Sequence, residues 1–225
     1  METAERRQGA VVPYGALVQQ FKSAPPGKLY CLHGTDRVFR LSLHAAAHAL
    51  LAGVPVTLVD GTNRFDVYYI AEFARACAAR GERMGGKPVT PAMLLDNIHV
   101  ARAFTCYQME ATLTERLPEQ LLRTGSPVAL VFGLLDTFYD EQAPFHQVTD
   151  GVRRVIAGLQ ELRARNVSVL LASRDLRAAT PERNGLFPRV AAAMDRVYRV
   201  TEDNGRTTIQ LALPPRGAAA HRTGG

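Results

Sequence analysis

A glycine that ends an apolar strand just before a helix is where a chain can cradle phosphate, because backbone N–H groups and the helix dipole converge there. Residues 28–34 (KLYCLHG) followed by 38–52 (VFRLSLHAAAHALLA) make such a junction. A working phosphate loop reads GxxxxGK[ST]: glycines for close approach, a lysine for charge, a hydroxyl for magnesium. The window from Gly34 to Leu41 reads GTDRVFRL. Gly34 keeps the first glycine, but Phe39 stands at the second, Arg40 at the lysine and Leu41 at the hydroxyl. Phe39 brings roughly 150–250 Å² of ring that must be buried. Arg40 keeps the charge without the compact ammonium. Leu41 cannot bind magnesium, which leaves the neighbouring Ser42 hydroxyl. Gly34, Thr35, Asp36, Arg37, Arg40 and Ser42 are therefore the candidate contacts of a degenerate nucleotide site, and ordinary ATP–magnesium hydrolysis is disfavoured.

Four other groups carry candidate chemistry. Asp60 ends the apolar run VPVTLVDG (54–61). It is placed to act as a general base toward water, or to cap the next turn through Gly61 and Thr62. His44 and His48 share one helix face at i, i+4, a metal-capable spacing; no third ligand is near, alanines surround them, and no metal site is assigned. Arg174, Arg177, Arg183 and Arg189 sit among Pro181, Asn184, Gly185 and Pro188, a loop able to contact phosphates and stack on bases. An ordinary solvated loop is the other reading. Residues 136–150 (DTFYDEQAPFHQVTD) read as a loop with four acids and no lysine or arginine, which argues against phosphate contact there.

The elements that must hold these groups follow from periodicity. Short apolar strands at 28–34, 54–61, 97–103, 127–133 and 167–173 alternate with amphipathic helices at 14–22, 38–52, 66–81, about 107–123 and 150–165. That alternation predicts an α/β fold with a mostly parallel sheet covered on both faces. Residues 196–213 alternate around Asn204–Gly205 and predict a C-terminal β-hairpin. One core domain over 13–213 is expected, with flexible segments at 1–12 and 214–225. Cys31, Cys77 and Cys106 are widely spaced among apolar residues and form no CxxC pair, so they read as buried thiols. No apolar run is long enough to cross a membrane, and a soluble, cytoplasmic protein is expected.

The formal net charge is +6, and it is uneven. Residues 1–150 hold 14 basic and 15 acidic groups, whereas 151–225 hold 13 basic and six acidic ones. The basic excess therefore lies in the last third, where it suits a polyanion partner.

Two segments carry a family resemblance. VDGTNRFD (59–66) resembles the segment of the type TEGTFRPE that carries the catalytic glutamate in the RecA-like recombinases, which puts Asp60 at the glutamate position. LLDNIHVARAFTCYQMEATL (94–113) resembles their DNI-ARA segment. With the element order, the chain resembles the three-layer RecA-like P-loop ATPase core of the RecA/RadA superfamily over roughly residues 12–213. Phe21 and Ala24 also make an FxxA string like that family's polymerisation motif. The departures fall on the nucleotide-handling parts. The Walker A window is altered as above. The Walker B-like strand PVALVFG ends in Phe132 and Gly133, with Asp136 as the first carboxylate beyond. The sensing residues become Ser173 and Arg174. The resemblance thus implies a degenerate paralogue: a non-catalytic accessory protein of homologous recombination or DNA repair that binds single-stranded DNA at Arg174–Arg189, a recombinase or other RecA-like partner, or both, as a homo- or hetero-oligomer. A weak, atypical DNA-dependent ATPase using Arg40, Ser42 and Asp60 is one alternative. A structural subunit pairing with an active RecA-like or SWIM-domain partner is the other.

Overall fold

The computed structural model describes residues 10–22, 27–140, 142–176, 178 and 180–213. Residues 1–9 and 214–225, Ala24 and Arg177 lie outside them. Seven strands form one sheet: β1 (Leu29–Gly34), β2 (Val56–Asp60), β5 (Ile98–Arg102), β6 (Val128–Phe132), β7 (Ser168–Arg174), β8 (Arg196–Asp203) and β9 (Arg206–Leu213). Their order is β5-β2-β6-β7-β1-β8-β9. All neighbours are parallel except β8 and β9, which form the expected hairpin. Two short strands, β3 (Arg83–Met84) and β4 (Lys87–Pro88), make a separate small hairpin.

The helices divide between the two faces. The β1→β2 and β2→β5 connections run one way across the sheet. They place α2 (Arg37–Leu51), α3 (Val67–Ala79) and α4 (Pro91–Leu95) on one face, where α1 (Tyr14–Lys22) joins them. The later connections run the other way. They place α5 (Cys106–Ala111), α6 (Leu117–Thr124), α7 (Leu134–Phe138), α8 (Phe145–Ala164) and α9 (Leu186–Ala193) on the opposite face. Reversing direction and face together keeps one crossover hand throughout. The result is a three-layer α/β arrangement with an apolar cluster on each side of the sheet. Strands β2 and β6 are buried along their whole length, which is why their sequences are apolar without alternation. The three cysteines are free and buried.

Several expectations change. The helix expected at about 107–123 is broken by a π-helical turn at Thr112–Arg116. Pro118 has no N–H for the Thr114 carbonyl, so the regular ladder cannot run through it. The 136–150 stretch is not one loop: α7 occupies its start and α8 begins at Phe145, with Phe138 buried. The 174–189 loop likewise contains a 3₁₀ turn at Pro181–Gly185 and the start of α9. Ala10–Val12, expected in a free segment, run along β9, with Val12 N–H donating to Ile209 at 2.9 Å and Leu211 N–H to Ala10 at 3.1 Å. No helix among the described residues is long and apolar enough to cross a membrane.

Candidate functional site

In an open parallel sheet, ligands sit outside the carboxyl ends of strands whose connections leave on opposite faces. Two neighbouring pairs meet that condition here, β1 with β7 and β2 with β6. The residues that follow these four strands are Thr35 and Asp36, Gly61 to Phe65, Gly133 to Asp136, and Asp175.

The phosphate-loop window does not form a loop. α2 begins at Arg37, so most of Gly34–Leu41 is already helix. Val38 and Phe39 are buried, and the Phe39 ring lies 5.3 Å from that of Phe132 across the face of the sheet. Burying that ring contributes about 1.5–3 kcal/mol, which commits the would-be glycine position to the core. Gly34 keeps a positive φ of 140°, but a Cβ there would meet the Val200 carbonyl oxygen at 1.9 Å. Its conformation therefore serves close approach to β8. Thr35 N–H donates to that same carbonyl at 3.2 Å.

The remaining window residues point to partners within the chain. Ser42 is fully buried and its hydroxyl donates to the Val38 carbonyl at 2.8 Å. Arg37 makes a bidentate pair with Glu202, at 3.0 and 2.9 Å. Arg40 lies over the Tyr69 ring, 4.2 Å from its centroid, and 3.8 Å from Asp66. The two arginines thus diverge toward β8 and α3. These residues do not fit ATP and magnesium in the manner of a phosphate loop.

Asp36 stands at the N-terminus of α2 and makes no side-chain cap. Its carboxylate accepts from Arg64 at 3.1 Å and lies 3.7 Å from Arg174. Arg174 in turn donates to Asp136 through Nη2 at 2.6 Å and Nε at 3.2 Å. The ladder Arg64–Asp36–Arg174–Asp136 therefore spans the carboxyl ends of the sheet. Asp36 thus sets a carboxylate of this chain at the N-terminal end of α2, where the helix dipole favours negative charge. Two polar atoms at this edge, Thr35 Oγ1 and Asp136 Oδ2, are buried without a hydrogen-bond partner.

Asp60 is fully buried. Its Oδ1 accepts from Thr62 N–H at 3.0 Å, the Thr62 hydroxyl at 3.3 Å and Arg64 N–H at 3.2 Å. Its Oδ2 accepts from Phe65 N–H at 2.8 Å. A base must present a free lone pair to water. Asp60 is enclosed, and both its oxygens accept from the loop after β2, which fits the turn-capping reading. No protein-family model matches this chain, and no curated protein matches it in sequence.

The arginines of 174–189 separate. Arg174 is held in the ladder. Arg183 is buried, donating through Nη1 to the Phe138 carbonyl at 2.8 Å and through Nη2 to the Ala143 carbonyl. It braces the turn between α7 and α8 and is not available to nucleic acid. Arg189 is exposed on α9, and Arg177 lies outside the described residues. Beside Arg174 is a cavity of about 420 Å³ lined by Leu135, Tyr139, Asp175, Phe187 and Pro188 among others. His33 borders this region, with Nδ1 2.9 Å from Asp175 and its ring 4.7 Å from that of Phe187. Among the described residues no group of three or more His, Cys, Asp or Glu side chains is arranged to hold a metal. Sequence reasoning missed the ladder as a unit. The available signal was that charged residues follow apolar strand ends at Asp36, Arg64, Asp136 and Arg174.

Proposed function

We propose that this chain is a non-catalytic RecA-like accessory protein of homologous recombination or DNA repair, acting through a recombinase or other RecA-like partner, single-stranded DNA, or both. The observation that carries the non-catalytic part is the carboxyl edge of the sheet, with Phe39 in the core beneath it and the Arg64–Asp36–Arg174–Asp136 ladder across it. Support for the scaffold comes from the parallel sheet with its terminal hairpin. The two segments that carry the resemblance also lie side by side, with Asp60 of β2 opposite Arg102 of β5.

The partner arm has the better-formed surface. Among the described residues β5 pairs on one side only, with β2. Val100 on that strand and Phe104 and Tyr107 just beyond it are exposed large apolar groups. An open edge strand accepts an extended segment of another chain through main-chain hydrogen bonds. A cavity of about 480 Å³ beside it, lined in part by Ile98, Leu117, Arg116 and Arg123, offers room for a side chain. The DNA arm rests on exposed Arg189 and on the hairpin residue Arg206.

The test has two parts. Co-elution of the purified chain with a RecA-like recombinase on a sizing column reports the partner arm. Anisotropy of fluorescein-labelled oligo-dT at about 50 and 200 mM salt reports the DNA arm, where electrostatic binding must weaken steeply as salt rises. Failure of both overturns the proposal. ATP–magnesium binding by calorimetry that is lost in Arg40→Ala would favour the weak ATPase instead.

A further inference from the structure

A second constellation lies further along α2, outside the ladder. His44 and His48 are one turn apart, and their Nε2 atoms approach to 3.2 Å. The rings stand edge to face, with centroids 4.7 Å apart at 82°, so the two nitrogens converge while the rings do not stack. Phe73 of α3 packs edge-on against both rings, at 5.4 and 5.0 Å, and Tyr14 of α1 lies 5.3 Å from His44. The far nitrogen of His44, Nδ1, is hydrogen-bonded to the Tyr69 hydroxyl. Both histidines are half-buried, so solvent reaches them.

We propose that His44 and His48 form a chelating site for a borderline divalent transition-metal ion such as Cu²⁺, Ni²⁺ or Zn²⁺. Imidazole nitrogens suit these ions. Two bonds of about 2.0–2.1 Å place their nitrogens about 2.9 Å apart at a right angle and about 3.3 Å apart at the tetrahedral angle. The observed 3.2 Å falls within that span, so the ion needs little rearrangement of either ring. Tyr69 supplies the outer contact that a ligating histidine commonly makes through its other nitrogen, fixing ring orientation. Without metal, one neutral ring donates its Nε2–H to the Nε2 of the other. To ligate through both Nε2 atoms, the donor ring carries its proton on Nδ1 instead, so two neutral imidazoles face the ion and no net proton is lost.

The surroundings set the character of the site. Burial first, then the neighbouring His48 and Arg40, lower the His44 pKa. Arg40 opposes an incoming cation, but Asp66 at 3.8 Å partly offsets it. With two protein nitrogens and no third His, Cys, Asp or Glu among the described residues, water completes the coordination. The site is therefore exchangeable, unlike a closed structural one.

The experiment uses the full, untagged chain. Cu²⁺ titration followed by electron paramagnetic resonance should show a first equivalent with splitting from two nitrogens. Zn²⁺ calorimetry should show a matching step that weakens at least tenfold in both His44→Gln and His48→Gln. The parent alone also provides a test: Zn²⁺ should slow carbethoxylation of two histidines, identified as His44 and His48 by mass spectrometry. A first equivalent without two-nitrogen splitting, a Zn²⁺ step unchanged in the variants, or protection at other histidines overturns the proposal.

Discussion

Replacing Asp60 separates a structural carboxylate from a catalytic one. In Asp60→Asn the amide oxygen can still accept from Thr62 and Arg64, but the amide nitrogen then faces the Phe65 N–H that Oδ2 now accepts at 2.8 Å. A buried donor left without an acceptor costs about 1–3 kcal/mol, and the remaining bonds lose their charge assistance. The expected loss is about 3 kcal/mol for Asn and about 4–5 kcal/mol for Ala, which abandons all four donors. For a domain of this size each kcal/mol moves the melting temperature by about 2–4 °C, so Asp60→Asn should melt about 6–12 °C below the parent. The chain has no tryptophan, so far-ultraviolet circular dichroism or tyrosine fluorescence follows the transition, with urea midpoints as a second measure. A catalytic base would behave in the opposite way: Asp60→Asn would melt like the parent and ATP turnover would vanish. Melting temperatures within about 2 °C of the parent for both variants would refute the structural assignment.

Three further outcomes follow from single contacts. Gly34→Ala drives a Cβ into the Val200 carbonyl at 1.9 Å with φ at 140°, so it should cost more than about 3 kcal/mol in urea unfolding; a melt equal to the parent would remove the close-approach argument. Arg183→Ala orphans the Phe138 and Ala143 carbonyls and should cost about 2–4 kcal/mol while leaving oligo-dT binding at low salt unchanged; lost DNA binding with unchanged stability would reverse its assignment. His44 has a lowered pKa, first through burial and then through His48 and Arg40. The unfolded chain therefore takes up that proton first as pH falls below the ordinary 6.5. The stabilising share is complete above that value and is lost toward the lower folded one, so urea midpoints measured between about pH 7.5 and 5 should fall less in His44→Gln than in the parent.

Much of the scaffold was legible because burial on both faces leaves an unmistakable record. VTLVD and VALVF cannot alternate, and they fall at β2 and β6 with a residue or two of error at each end. Asn204–Gly205 marked the hairpin through the positive φ both residues adopt, 47° and 75°. The site was less legible. Asp60 was offered as a cap through Gly61 and Thr62; Thr62 donates, joined by Arg64 and Phe65, whereas the Gly61 N–H goes to the Phe132 carbonyl. The ladder joins residues 36, 64, 136 and 174, and no periodicity links positions so far apart. Arg183 was misread because a loop composition of Pro, Asn and Gly describes the backbone. It says nothing of a guanidinium turned inward to carbonyls some 40 residues away.

The same distinction governs the charge. Counted along the chain, the last third holds the basic excess, which invites a polyanion. Counted in space, part of that excess meets acids of the nearly neutral first part: Arg153 pairs with Asp150, Arg154 with Glu110, and Arg174 with Asp136 and Asp36, while Arg37 of the first part takes Glu202. Arg163 and Arg199 find Asp195 and Asp175 within their own third. The exposed pairs among these each contribute about 0–1 kcal/mol, so their main effect is on what remains outside. An arginine already answered by a carboxylate offers a phosphate little net attraction, because binding must first break the pair. The two carboxylates that hold Arg174 thus subtract it from the DNA surface, and one of them, Asp36, adds negative charge at the start of α2. That coupling favours a protein acting through the open β5 edge over one acting through its arginine-rich loop. It also makes the partner assay, more than the DNA assay, the measurement on which the proposed function turns.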